Sequence, residues 1–298
     1  MSRAMPIEAS TLLAPRKERA AWRQMLRVLS RNKLVLAGVA IAAVMLFAAI
    51  FAGFIAPYDP IAQKVSDSLH SPSLQYWFGT DRFGRDVLSR TIYGSRISMW
   101  VGFASVSLAV SVGTLLGLVS GYFGGWIDNV ISRIMDIFFS FPAMLLAIAI
   151  AAMLGPGMNN ALLAIAIVYS PLFSRVVRGP VLAERNKEYI EAARVLGASN
   201  RRVVGLHVLP NVLSPIIVQG SVTLSHAILM ESYVSFLGLG TQPPEASWGS
   251  MLNEGRAFLE AAPWISIFPG VAVMLAVLAF NLLGDGLRDV LDPRLRSL

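Results

Sequence analysis

No cysteine occurs in the 298 residues, so disulfides and thiolate metal sites are excluded and the redox compartment stays open. Histidine is almost as scarce: His70, His207 and His226 are the full set, and none stands in an H-E-x-x-H or comparable spacing. The four lysines, Lys17, Lys33, Lys64 and Lys187, never follow a glycine, which excludes a G-x-x-x-x-G-K-[ST] phosphate loop. No G-x-S-x-G elbow is found either. Charge is thin, 14% of residues against about 25% in a typical soluble domain. The chain is therefore expected to be no enzyme and to hold no metal or cofactor.

What is present is apolar, at 55% of residues. Leu34–Ala56 runs 23 residues without a charge, and about 20 suffice to cross roughly 30 Å of hydrocarbon. The run is too long for the apolar part of a signal peptide and should remain as an uncleaved anchor. Five further apolar segments follow, at about Ile97–Tyr122, Ile134–Leu154, Asn160–Phe173, Val212–Phe236 and Trp264–Leu283. Six spans are expected. Five is the competing count, because Asp128, Arg133 and Asp136 precede the third segment and Ser170-Pro171 interrupts the fourth. Pro57–Ser95 is too poor in apolar residues for a core of its own.

Lysine and arginine bias sets the orientation. Basic residues crowd the N-terminal tail and the connection between spans four and five, which carries Arg175, Arg178, Arg185, Lys187, Arg194, Arg201 and Arg202. Both termini are thus expected in the cytosol, with Lys64, Arg82, Arg85 and Arg90 of Pro57–Ser95 as a mild violation. The net charge of +7 follows from this flanking and gives no reason to expect nucleic acid. Lys17–Lys33 places Trp22, Met25, Leu26 and Leu29 at helical spacing among arginines, the pattern of a helix in the lipid interface. Residues 1–33 then form a cytosolic tail, 34–95 the first span and outer segment, 96–285 the core, and 286–298 a second tail. Within span two, Ala109, Gly113, Gly117 and Gly121 recur every fourth residue, a groove for another helix.

The segment Glu188–Asn211 carries the functional signal. Tyr189, Ala192, Ala193 and Leu196 share a face opposite Glu188, Glu191 and Arg194, and Gly197 stands where a helix C-cap needs a left-handed residue. Ser199 or Asn200 would start a second helix, and Pro210 would reset the chain for span five. Small residues at the exposed centre suit insertion into a partner's groove.

Glu191-Ala192-Ala193, Gly197, His207 and Leu209-Pro210 resemble, with both spacings intact, the coupling motif of permease subunits in ATP-binding-cassette importers. Histidine at 207, where the general pattern prefers isoleucine, resembles the peptide/nickel branch. So do Gly79-Thr80-Asp81-Arg82-Phe83-Gly84-Arg85-Asp86, the block Ser235–Pro244 with Ser247-Trp248-Gly249, and Asn281–Asp289. The resemblance implies an all-α type I importer permease forming half of a translocation pathway for a peptide or related solute. Its implied partners are a second, homologous permease, two cytosolic ATPase subunits that bind ATP and Mg, and an extracytoplasmic solute-binding protein. It implies ATPase coupling through Glu188, Glu191, Ala192, Ala193, Leu196 and Gly197. Gly79, Asp81, Gly84, Arg85 and Asp86 are expected as a rigid motif at the outer surface. Glu231, late in span five, stands as structural or pathway-facing. An ion-driven carrier is the rival reading, since acids within spans often carry coupling ions, but weak internal repetition argues against it.

Overall fold

The computed structural model describes residues 32–291. The expected interfacial helix around Trp22 and Leu29, and the end of the C-terminal tail, lie outside them.

Helix α1 (Lys33–Ile50) opens on Asn32, whose side chain accepts from the amides of Leu34 and Val35 at 3.0 and 3.4 Å. A break at Phe51 leads into one short turn, α2 (Ala52–Ile55). Helix α3 (Val87–Phe123) is 37 residues long, about 55 Å at 1.5 Å per residue. It begins ten residues earlier than the apolar run at Ile97 suggested, because Asp86 caps it. Ser89 donates to the Asp86 carboxylate through both its amide (2.8 Å) and its hydroxyl (2.6 Å).

The third expected span is not one helix. Helices α4 (Gly125–Phe139) and α5 (Ala143–Leu154) meet at a 93° bend. Phe141 precedes Pro142, and a residue before proline is pushed out of the α region, so the helix cannot run through. Among the described residues five helices are long and apolar enough to cross a membrane individually, and the bent pair taken as one span brings the number to six.

Span four is longer than expected. Helix α6 (Met158–Glu184) runs straight through Pro171 and Pro180 instead of ending near Phe173. In a bilayer a proline is tolerated because neighbouring groups can re-satisfy a freed carbonyl, which for Pro171 is that of Ile167. Helices α7 (Glu188–Val195) and α8 (Asn200–Val203) follow. A π-helical segment, Val204–Val208, then feeds α9 (Leu209–Phe236). Pro210 therefore does not reset the chain. It sits in the first turn of α9, where a missing N–H matters little, and the Asn211 side chain donates to the His207 carbonyl at 2.7 Å. Helices α10 (Trp248–Gly255) and α11 (Trp264–Leu291) complete the described chain.

The glycine groove of α3 receives α6. A Cβ at Gly117 would stand 2.6 Å from the Ser174 carbonyl and 2.8 Å from Val177 Cβ, and one at Gly121 would meet Val181 at 2.8 Å. The expected packing stripe thus faces a backbone with no room to spare. The main core joins α1, α3, α6, α9 and α11 around Met99, Val106, Phe173, Ile228, Ala276 and Phe280. A second cluster gathers Leu118, Tyr122, Val177, Val181, Val212 and Ile216 at the opposite end of the bundle from Asp86.

Candidate functional site

The block Gly79–Asp86 forms a buried clamp with Arg90 and Glu254. Asp81 Oδ1 accepts from the amides of Phe83 (2.8 Å) and Arg85 (3.0 Å), and its Oδ2 accepts from Arg85 Nε at 2.6 Å. Arg85 Nη2 donates to Glu254 Oε2 at 2.6 Å, and Arg90 Nη2 reaches the same oxygen at 3.2 Å. Two arginines and two carboxylates therefore balance in the interior, where an unpaired charge would be strongly destabilising. Gly79 and Gly84 hold φ of +71° and +72°, and a Cβ at Gly84 would collide with the Lys64 carbonyl. Gly79, Asp81, Gly84, Arg85 and Asp86 are all buried within the chain. The charges of this motif are spent on one another. Arg90 and Glu254, missed in the sequence, complete it.

The block after α9 packs onto the same end of α3. Trp248 Nε1 donates to the Thr91 carbonyl at 3.0 Å, and the Trp248 amide donates to Ser98 Oγ at 3.2 Å. Glu231 is 1% exposed and accepts from Ser235 Oγ at 2.7 Å, with Ser98 and Ser247 beside it. It is enclosed within its own chain.

The segment after α6 is built differently. Ile190 is fully buried and inserts among Tyr122, Val181, Val203 and Val208, which pins α7 to the ends of α3, α6 and α9. Tyr122 donates its hydroxyl to Asn200 Oδ1 at 2.9 Å, and the Arg194 guanidinium lies 5.0 Å from the Tyr122 ring. At the C-terminus of α7, the Gly197 amide donates to the Arg194 carbonyl (2.9 Å) and the Ala198 amide to that of Ala193 (3.0 Å). That pair of bonds is the Schellman arrangement, and Gly197 holds the φ of +85° it requires.

The outward face is open. Glu188, Glu191, Ala192 and Gly197 are exposed, and Val195 and Leu196 are 81% and 87% exposed. Ala193 is half-buried, so of the alanine pair Ala192 is the one presented. The inward anchor is Ile190 and not Tyr189, which stays 42% exposed and donates its hydroxyl to Glu184. Ile190 lies three residues before Ala193, and that spacing was the available signal for it. Beyond α7, Arg185 Nη1 caps α3 by donating to the carbonyls of Gly121 (3.0 Å) and Tyr122 (3.2 Å). Arg178 grips Asp128 through Nε (2.5 Å) and Nη2 (2.6 Å), tying α4 to α6. A chain with this architecture has a rigid, exposed helical knuckle at one end and a charge-locked clamp at the other.

Comparison with known proteins gives that architecture a family. The profile of the binding-protein-dependent transport system inner membrane component matches residues 113–297. The chain belongs to this family. Residues 21–72 also match the N-terminal TM domain of oligopeptide transport permease C. Among relatives of this permease, the dipeptide transport system permease protein DppC of Alkalihalophilus pseudofirmus is 49% identical over 276 residues, covering 93% of this chain and 91% of that protein. The glutathione transport system permease protein GsiD of Escherichia coli is 43% identical over 292 residues, covering 98% of this chain and 96% of that one. A solved structure of the MetNI methionine ABC transporter in an inward-facing conformation shares the fold, with a TM-score of 0.54 at 20% identity over 68% of this chain and 97% of the matched one. The permease is thus a multi-pass inner-membrane protein of the ATP-binding-cassette importer class.

Proposed function

We propose that the permease forms half of a pathway for a short peptide or glutathione-like solute and pairs with a homologous second permease. An extracytoplasmic binding protein delivers the solute, and two cytosolic ATPase subunits bind ATP and Mg and supply the energy. The cargo class is supported by the names of the two relatives above. The coupling element is α7 with its glycine corner. The observation that carries this reading is the contrast across one short helix, Ile190 wholly buried on one side and Leu196 87% exposed on the other. An apolar tip held on an immobile anchor is suited to dock in another protein's groove and to pass its displacement to α3, α6 and α9 as a rigid body.

The test pairs uptake with contact. In the assembled transporter, a cysteine at position 192 or 196 should crosslink to the ATPase subunit, whereas one at position 190 should not. Ala192→Trp and Glu191→Arg should each abolish ATP-driven uptake while the chain still inserts. Normal uptake by Ala192→Trp would remove α7 from the interface. Orientation belongs to the same proposal, with both termini cytosolic so that α7 faces the ATPases. Reporter fusions after Asn32 and Leu298 should read as cytosolic and one after Asn159 as external; a cytosolic signal at Asn159 would reverse the orientation.

A further inference from the structure

A cavity of about 680 Å³ with mixed polar and apolar walls opens beside the end of α2, lined by Tyr58, Asp59, Tyr93, Arg96, Pro244 and Glu245. It is continuous with an apolar groove of about 750 Å³ between α1 and α3, lined by Leu46, Ile50, Met99, Trp100, Phe103 and Met158. Arg96, Ile97 and Glu245 line both. From Arg96 to Phe103 the groove descends about 10 Å along α3, at 1.5 Å per residue. Its walls face away from the bundle: Ile50 is 64% exposed and Trp100 60%.

The chemistry of the two parts differs sharply. Arg96 Nε and Nη2 donate to the carbonyls of Ala49 (3.0 Å) and Ile50 (3.1 Å), closing the end of α1. Its Nη1 has no hydrogen-bond partner among the described residues. Asp59 and Glu245 are exposed on the same cavity and make no ion pair with it. One cation and two carboxylates that share a cavity without pairing complement a ligand bearing both an anion and an ammonium. Arginine suits phosphate, and the carboxylates suit a primary amine. Tyr58 and Tyr93 line the cavity and Trp100 the groove, and amphipathic rings of this kind are enriched at the boundary between headgroup and hydrocarbon.

We propose that this cavity and groove bind one phosphatidylethanolamine molecule, its phosphate on Arg96, its ammonium at Asp59 and Glu245, and an acyl chain in the groove. The lipid braces the outer end of α1 against α3, adding to the Arg96 bonds, the turn of α2 and the core packing of Met45 and Ala49. A peptide cargo is also zwitterionic, but it would leave the apolar groove empty. That the site lies in the outer leaflet rests on the orientation proposed above; the binding itself does not.

The test uses the transporter purified with its partner chains, stripped of lipid in detergent and titrated with phosphatidylethanolamine or phosphatidylglycerol, with bound lipid counted by native mass spectrometry. Wild type should retain one phosphatidylethanolamine in preference to phosphatidylglycerol. The Asp59→Asn/Glu245→Gln double variant, which leaves the Arg96 cap on α1, should bind about tenfold more weakly, the cost of losing a charge-assisted hydrogen bond. Leu46→Trp, which fills the groove, should lose the lipid with thermal stability unchanged in its absence. Equal retention by wild type and both variants, or equal affinity for the two lipids, overturns the proposal. So does a crosslink from a cysteine at position 100 to the partner permease, which would make the groove a subunit contact. No transport is measured, so failure here is separate from failure of the coupling mechanism.

Discussion

Arg85 and Glu254, 169 residues apart in the chain, meet at 2.6 Å, and the guanidinium of Arg90 closes on the same carboxylate at 3.2 Å. The contact joins the loop before α3 to helix α10. Neither arginine has water to fall back on: their side chains are 4% and 1% exposed. A single carboxylate thus ties together two elements far apart in the chain.

Glu254→Gln should therefore leave two buried arginines facing Asp81 alone. Loss of one partner from a buried pair costs roughly 3–5 kcal/mol. The expected outcome is a clearly lower thermal midpoint for the detergent-solubilised transporter and a lower yield. A melting curve matching wild type would show that the cluster is wetter than its burial implies.

The α3–α6 interface makes a contrast between two glycines. Gly117→Ala drives a methyl toward the Ser174 carbonyl and should cost roughly 1–3 kcal/mol through overpacking. Gly179→Ala, on α6 itself, meets nothing within 4 Å and should be neutral or stabilising by up to about 1 kcal/mol from helix propensity. Thermal melts of the two variants decide it, and equal effects would mean that the helices are not in close contact.

These cases mark what a sequence can disclose. The glycine stripe was legible because a period of four on a helix maps onto one face. Gly197 was legible because a glycine directly after an amphipathic run has one common use. The partnership of Arg85 with Glu254 was hidden, since a charge shows no sign of its distant mate. Ile190 is not legible as the anchor because the face of a two-turn helix is set by what it packs on, and Val203 and Val208 reach it only through the tertiary fold. Proline misled in both directions. Pro171 was read as an interruption but is accommodated within α6, whereas the residue before Pro142 does end a helix, producing the 93° break.

The glycine corner supplies the sharpest test of the coupling proposal. A Cβ at Gly197 would meet nothing of this chain within 4 Å, so a substitution there does not act by collision at Cβ within the permease. What remains is the backbone: at φ +85° a residue with a side chain is strained by roughly 1–2 kcal/mol. Gly197→Val, β-branched, should suffer most; Gly197→Asn should suffer least, because asparagine visits the left-handed region more readily. The strain falls between α7 and α8, so it is relieved by retilting α7, while Ile190 and the spanning helices keep their packing. Uptake should then decline in the order glycine, asparagine, valine, with membrane insertion and pairing with the second permease unchanged. Co-purification of the ATPase subunits separates two routes to that decline. Loss of both uptake and ATPase shows that the angle of α7 sets docking, and loss of uptake with the ATPase retained shows that it sets transmission. Full uptake by Gly197→Val would mean that the angle of α7 carries no signal, and the corner would be a helix terminator and nothing more.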